Sequence, residues 1–158
     1  MTYANPISKW SKAALFGLFA ATTLQINAPA TLADDLKHGV ISADKLAWGL
    51  FDPKQPDGLH IAVLYGDPSK PGPFAVRLKI PGGMELGNHS HTNAEFVTVI
   101  SGKAMVSWGT KSDITAGDTL MPGSFFWMSG KDHHDFKTID ETVVELHSVG
   151  PFDMIADK

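Results

Sequence analysis

The residues best suited to chemistry lie in the stretch HSHTNAEF, residues 89 to 96. His89 and His91 are separated by one residue, and Glu95 follows four residues after His91. Alternate side chains of a β-strand point to the same face, so the two imidazoles are expected to project together. Val97 and Val99 would share the face of Glu95. A carboxylate among apolar side chains is costly unless it is paired or binds a metal.

Two neutral imidazoles and one ionised carboxylate form a mixed nitrogen and oxygen donor set. Such a set suits Mn, Fe, Co, Ni, Cu or Zn, whereas Ca²⁺ and Mg²⁺ prefer oxygen ligands alone. The pattern therefore predicts one divalent transition metal bound by His89, His91 and Glu95, and Glu95 is also a candidate catalytic general base. The alternative is a pair of surface histidines that binds nothing, because short ligand patterns often occur by chance.

A fourth ligand is expected from SGKDHHDF, residues 129 to 136. His133 and His134 are neighbours, so in an extended chain only one of them can face the site. Gly130 precedes His133 by three residues and favours a tight turn that would aim His133 inward. His133 is therefore the predicted ligand, with His134 as the alternative.

These side chains must be positioned by strands, because helical periodicity is scarce. Short apolar or alternating runs separated by Gly and Pro turns predict seven to nine strands in an all-β sandwich or barrel. The runs include His60–Tyr65, Phe74–Ile80, Glu95–Ile100 and Lys103–Trp108. Glu95–Ile100 and Lys103–Trp108 are predicted to form a hairpin, and a second pair of strands is predicted within AGDTLMPGSFFWM, residues 116 to 128.

The pattern extends beyond the histidines. It consists of Gly83, His89, His91, Glu95 and Gly102, with five, one, three and six residues between successive members. This pattern resembles the first motif of the cupin superfamily. Gly117 and Asp118 resemble the opening of the second motif, although Met128 stands where proline is usual. The resemblance covers most of the chain and implies a small exported single-domain cupin, an antiparallel jelly-roll β-barrel. It also implies that His89, His91, Glu95 and a histidine of the second motif, here His133, bind one metal.

The first 33 residues differ from the rest of the chain. They contain Lys9 and Lys12 but no acidic residue, and an apolar run follows from Ala13 to Leu24. Small residues then occupy the −3 and −1 positions of two possible cleavage sites, one after Ala30 and one after Ala33. This order is typical of a cleaved signal peptide, and the apolar run is shorter than the about 20 residues that span a bilayer. We therefore predict a signal peptide over 1–33, cleaved after Ala30 or Ala33, a cupin domain over 34–158, and a periplasmic or secreted protein.

Charge and composition narrow the partners of residues 34–158. Eleven basic and seventeen acidic residues give this segment a formal net charge of −6, and Arg77 is its only arginine. These features argue against nucleic acid and anionic membranes as partners, and no membrane insertion of the mature chain is expected. The chain has no cysteine and therefore no disulfide. The apolar run SFFWM, residues 124 to 128, needs cover on one face, which favours a homodimer.

The expected ligand is a small molecule inside the barrel. A metal with an open coordination position would favour an enzyme of the dioxygenase type or of the Lewis-acid isomerase or lyase type. The alternative is a non-catalytic module that binds a metal or a small ligand. Arg77 either binds a substrate carboxylate or forms a surface salt bridge.

Overall fold

The computed structural model describes residues 38–157, and its regular secondary structure consists of strands apart from two 3-10 turns, Ala43–Lys45 and Ile114–Ala116. The predicted signal peptide, residues 1–33, lies outside the described residues. The strands are β1 (Gly49–Leu50), β2 (His60–Tyr65), β3 (Gly72–Ile80), β4 (His89–Ser90), β5 (Glu95–Ser101), β6 (Ala104–Trp108), β7 (Asp118–Leu120), β8 (Phe125–Met128), β9 (His134–Thr138), β10 (Thr142–Gly150) and β11 (Ile155–Ala156). Within residues 38–157, no helix is long and apolar enough to cross a bilayer.

The strands form two antiparallel sheets. One sheet has the order β1-β2-β3-β10-β5-β8, and the other has the order β11-β4-β9-β6-β7. Both sheets contribute to a single buried apolar cluster, and the rings of Phe126 on β8 and Phe136 on β9 stack across it at 6.0 Å. The predicted all-β architecture is confirmed.

Alternation along the strands separates the core from the outer surface. On β3, Phe74, Val76, Leu78 and Ile80 are buried in the core, while Arg77 between them faces outward. The same period of two places Glu95 on the inner face of β5, together with Val97 and Val99. The sequence prediction for β2 agrees with the structure at both ends, and those for β3, β5 and β6 agree to within two residues.

Both predicted strand pairings were wrong. β5 pairs with β8 and β10, whereas β6 pairs with β7 and β9 in the other sheet. The turn at Gly102 carries the chain from one sheet to the other. The Lys103 carbonyl then accepts a hydrogen bond from the backbone N–H of Ile139 at 2.7 Å, in the connection between β9 and β10. A turn that crosses between sheets uses the same residue types as a hairpin turn, so local sequence does not separate the two.

The second pairing failed for the same reason. β7 pairs with β6, and β8 pairs with β5, so residues 121–124 cross between the sheets. The Ser124 carbonyl accepts a hydrogen bond from Val99 at 2.9 Å, which attaches this crossing to the edge of β5.

Candidate metal centre

The candidate centre lies between the two sheets, at one end of the apolar core. His89 on β4 is the direct cross-strand partner of His134 on β9. His91 follows the end of β4, and Glu95 begins β5 in the opposite sheet. All four side chains line one cavity. The fold thus brings together residues that are up to 45 positions apart in the sequence.

Three imidazoles converge in this cavity. One ring nitrogen from each of His89, His91 and His134 lies within 4.8 Å of the others. The ring centroids are 4.2 Å apart for His89 and His134, 4.9 Å for His89 and His91, and 5.3 Å for His91 and His134. None of the three residues is more than 5 % exposed. Three buried imidazoles at this spacing are a set of nitrogen donors suited to one metal ion.

The Nδ1 atoms of the three rings all face backbone carbonyl oxygens. The distances are 2.7 Å from His89 to Gly87, 2.5 Å from His91 to Asp153 and 3.4 Å from His134 to Asp132. A neutral imidazole that donates its Nδ1–H in this way keeps its lone pair on Nε2. Such backbone acceptors fix the tautomer and the ring orientation of metal-binding histidines.

Burial also keeps two of the rings neutral. It lowers the pKa of His91, and the nearby His89 lowers that pKa further. Burial, followed by the proximity of His89 and His91, lowers the pKa of His134 to about 4. A metal ligand must present a lone pair rather than a proton, so rings that stay neutral at pH 7 are ready to bind.

Glu95 is a buried carboxyl group beside the imidazoles. Burial, and then the charge of Asp153, raises its pKa to about 8. Its Oε1 atom lies 3.2 Å from His91 Nδ1, but that nitrogen donates its one proton to the Asp153 carbonyl. Among the described residues Oε1 therefore has no hydrogen-bond partner. A buried oxygen of this kind is costly when unpaired, and a cation in the cavity would satisfy it. The donor set thus fits a transition metal.

The structure corrects the assignment of the second-motif histidine. His133 points away from the cavity, and its Nδ1 donates to the carboxylate of Asp157 at 2.8 Å. His134 occupies the expected place beside His89 and His91. Gly130 does not aim His133 inward because the left-handed turn residue is Lys131, with a φ of 72°, and β9 begins only at His134.

The sequence did contain a signal for His134. In HDFKT the buried apolar residue is Phe136, and alternation puts His134 on its face. His133 would share a face with Asp135 and Lys137. The strand period was thus more informative than the distance from the glycine.

A segment after β10 completes the centre. The Phe152 ring stacks on His91 with 5.7 Å between centroids. The Asp153 carboxylate accepts hydrogen bonds from the backbone N–H and the hydroxyl of Thr92, at 2.8 and 2.5 Å. Sequence reasoning missed both residues, because the contact from His91 to Asp153 spans 62 positions and carries no local pattern.

The cavity has a volume of about 280 Å³ and is largely apolar. Of the twenty residues within the described range that line it, fourteen are apolar, including Leu78, Val97, Phe126 and Met128. The polar ones are His89, His91, Glu95, His134, Asp52 and Gln55. The chemistry-bearing groups are therefore concentrated in an otherwise hydrocarbon chamber.

Arg77 does not reach this chamber. It lies on the outer face of β3, where its guanidinium binds the Glu145 carboxylate at 2.9 Å. Glu145 also accepts a hydrogen bond from His147 at 3.1 Å. Of the two roles considered for Arg77, the salt bridge is the one observed.

Two antiparallel sheets around a core, with clustered histidines at one end, are the features of the cupin fold. Solved structures support this class. The chain resembles a proposed acetylacetone dioxygenase from Methylibium petroleiphilum with a TM-score of 0.60 and 19 % identity, covering 79 % of this chain and 85 % of that one. The chain belongs to the family described as "Domain of unknown function (DUF4437)", whose model matches residues 23–155.

Two further structures show the same fold. An RmlC-like cupin from Ralstonia eutropha aligns with a TM-score of 0.57 and 18 % identity, covering 78 % of this chain and 74 % of that one. The DMSP lyase DddQ from Ruegeria pomeroyi aligns with a TM-score of 0.56 and 16 % identity, covering 70 % and 60 %. No curated protein matches the sequence. At these identities the similarity establishes the fold, and activity must be argued from the site.

Proposed function

We propose that the chain is a metal-dependent enzyme that acts on a small molecule in the barrel. His89, His91 and His134 would hold one divalent transition metal, and Glu95 would supply the acidic group beside it. The observation that carries this proposal is the convergence of three buried imidazoles whose Nδ1 atoms all face backbone acceptors. A surface histidine pair would need neither the burial nor the matched tautomers.

Each residue has a distinct role in this proposal. The bound metal would supply Lewis-acid or oxygen-dependent chemistry. The three histidines would hold it through Nε2. Glu95 lines the same cavity, and its Oε1 has no hydrogen-bond partner within residues 38–157, so it is placed to accept or donate a proton at a bound molecule. The apolar walls would exclude water from the reacting groups.

The reaction class we propose is either dioxygen-dependent cleavage or a Lewis-acid lyase or isomerase reaction. Structures with the same fold include a proposed acetylacetone dioxygenase and a DMSP lyase, which supports both kinds. Acetylacetone is a small uncharged diketone, and a chamber of about 280 Å³ has room for a molecule of that size.

Metal stoichiometry tests the proposal with a matched pair of variants. The full chain is purified without chelator, and its metal content is measured by mass spectrometry for the wild type, His134→Ala and His133→Ala. We expect about one metal per wild-type and His133→Ala chain. Loss of a direct ligand should weaken binding by more than the 10- to 100-fold typical of outer residues, about 100-fold or more for His134→Ala. Metal lost from His133→Ala but kept by His134→Ala would contradict the assignment.

Activity is measured on the metal-loaded protein. Oxygen uptake with a diketone and a catechol series tests the dioxygenase, and product formation without oxygen uptake tests the lyase or isomerase. Tight metal binding with no turnover in either assay would instead identify a binding module.

We also propose that the protein is exported, as a periplasmic or secreted protein. The support is the basic, apolar and small-residue order of residues 1–33. Intact mass measurement on protein from its native compartment is expected to give a chain that begins at Thr31 or Asp34. A mature chain that retains Lys9 and Lys12 would refute cleavage.

A homodimer through the outer face of the larger sheet completes the proposal. Register places one row of side chains straight across five strands: Tyr65, Ala75, His147, Phe96 and Trp127. Ala75 forms the floor of a shallow hollow between Tyr65 and His147. A two-fold axis parallel to β10 would place Phe96 of one chain over the Ala75 of its partner. The large Phe96 side chain of each copy would then pack into the hollow over Ala75 of the other, as in an isologous interface.

The exposed area supports a second copy as the occupant of this face. Trp127, Phe125, Phe96 and Tyr65 are 63 %, 55 %, 47 % and 45 % exposed. Since an aromatic side chain presents about 150–250 Å², these four leave on the order of 400 Å² uncovered. That is about half of the roughly 800 Å² that each partner buries in a standard interface.

A further inference from the structure

The cavity that holds the candidate metal centre is chemically asymmetric. His89, His91, His134 and Glu95 supply the polar atoms at the end between β4, β5 and β9. The walls beyond them are hydrocarbon, from residues such as Leu78 and Phe136. A bound molecule would find hydrogen-bond partners at the histidine end, apolar contacts along the walls, and the polar side chains of Asp52 and Gln55 elsewhere on the lining. A hydroxyl group buried against these walls would lose its hydrogen bonds to water without replacement.

The opening is marked by the exposed residues that line the cavity, which include Gln55 and Met154. Asp52 lines it beside Gln55, and its carboxylate binds the backbone N–H of Lys54 at 2.9 Å and the Gln55 amide at 3.2 Å. Asp52 is therefore held in place by its own loop.

Apart from the histidines, the ionisable side chains of residues 38–157 that line the cavity are acidic. Asp52 and Glu95 are carboxyl groups, and within the described part of the chain no lysine or arginine lines the cavity. Arg77 is bound to Glu145 on the outer face and supplies no positive charge to the cavity. A carboxylate or phosphate on the part of a ligand that faces the walls, away from the histidines, would therefore lack a counter-charge, which is unfavourable.

Volume sets the size of the ligand. A cavity of about 150 Å³ holds a benzene molecule, so a chamber of about 280 Å³ holds a molecule of roughly ten to twelve non-hydrogen atoms.

We propose that the substrate of this site is an uncharged, mainly hydrocarbon molecule of up to about twelve non-hydrogen atoms, with its oxygen atoms grouped at one end. The oxygens lie against the histidines and Glu95, and the hydrocarbon part fills the walls. Small diketones and catechols without charged substituents belong to this class, whereas sugar acids, phosphate esters and dicarboxylates do not. The inference rests on the cavity of the proposed function and deepens it by naming the substrate class.

Two pairs of ligands test the charge preference, each pair nearly identical in shape. The first is 3,4-dihydroxyacetophenone and 3,4-dihydroxybenzoate, in which a methyl group replaces a carboxylate oxygen. Binding to the metal-loaded full chain at pH 7 is followed by calorimetry and by tryptophan fluorescence, so no turnover is needed. We expect the neutral compound to bind at least tenfold more tightly. Equal binding, or tighter binding of the carboxylate, would overturn the proposal.

The second pair separates this inference from the metal proposal. Acetophenone and benzoate lack the paired hydroxyl groups, and their binding is measured on chelator-treated protein. The same preference for the neutral compound is expected there, because it arises from the walls rather than from a metal. If the protein binds no metal and the preference persists, only the proposed function fails. If metal binds and the preference is absent, only the substrate class fails.

A matched pair of variants tests whether lining charge is the cause. Met154 lines the cavity at its exposed rim, and the neighbouring Ile155 is exposed on β11 but does not line it. Met154→Lys is expected to improve benzoate and 3,4-dihydroxybenzoate binding at least tenfold relative to their neutral partners. Ile155→Lys is expected to leave the ratios unchanged. An equal change in both variants would show that overall charge, and not the cavity wall, controls binding, and would refute the inference.

Discussion

Replacing Glu95 with glutamine tests the electrostatic description of the cavity most directly. Glu95 is 3 % exposed, and burial raises the pKa of its carboxyl group from 4.5 to about 8. Glutamine has nearly the same shape and cannot ionise. In chelator-treated protein, where no metal contributes, the Glu95→Gln variant therefore removes one titration and leaves the fold unchanged.

The expected sign follows from proton binding. The native state holds the Glu95 proton more tightly than the unfolded chain does, so this group stabilises the fold fully below pH 4.5. That stability is lost as pH rises from 4.5 towards about 8 and then levels off. Each pH unit in the interval corresponds to about 1.4 kcal/mol. The stability of the variant relative to the wild type should thus increase by roughly 3 kcal/mol between pH 5 and pH 7.5.

Urea unfolding at a series of pH values measures this difference. Tryptophan fluorescence follows the transition, and the variant is compared with the wild type at each pH, so that the titrations the two proteins share cancel. Glu145→Gln is the control of opposite sign. Burial raises the pKa of Glu145, but the hydrogen bonds from Arg77 and His147 outweigh it and the net pKa is lowered. That variant should lose stability above pH 4.5 relative to the wild type.

A difference between Glu95→Gln and the wild type that stays constant from pH 5 to pH 7.5 would refute the reasoning. It would mean that Glu95 is solvated or paired in the native protein. The proposal that a cation in the cavity satisfies the buried Glu95 oxygen would then fail as well.

Three further predictions concern packing and assembly. Gly102→Ala should cost at least about 3 kcal/mol, because its φ of 85° is left-handed and a Cβ would collide with the Glu141 carbonyl. Gly83 is also left-handed, but its Cβ position faces open space, so Gly83→Ala should lower the free energy of unfolding by only about 1–2 kcal/mol. Chemical denaturation of the two variants measures the difference. Phe152→Ala should destabilise the fold by about 2–3 kcal/mol and weaken metal binding, since Phe152 stacks on His91. Trp127→Glu should halve the mass measured by light scattering, and a wild-type protein that is monomeric at high concentration would contradict the dimer.

The sequence predicted the fold well because its strongest signals are local. Strand alternation and turn residues identified the strands, and the spacing of Gly83, His89, His91 and Glu95 identified the class. The pairings failed at Gly102 and at residues 121–124, because a turn within a sheet and a turn between sheets have the same composition.

The site was predictable in part for the same reason. The structure places His89, His91 and Glu95 in one cavity, and all three come from one short stretch of the chain. His134 could have been predicted from alternation along β9, because it shares a face with the buried Phe136. The position of Gly130 instead favoured His133. Asp153 and Phe152 could not be predicted, because they reach His91 only through the closed fold.

The contact between His91 and Asp153 has a consequence for how the centre forms. A ribosome that has just completed residue 134 has made all three histidines but has not yet made the carbonyl that orients His91. If the centre binds a metal as proposed, capture with the native geometry has to wait until residue 153 is synthesised and β10 is seated. Acquisition of the ion would be one of the last events in the biogenesis of this protein, and a chain truncated after β10 would retain the ligands without their alignment.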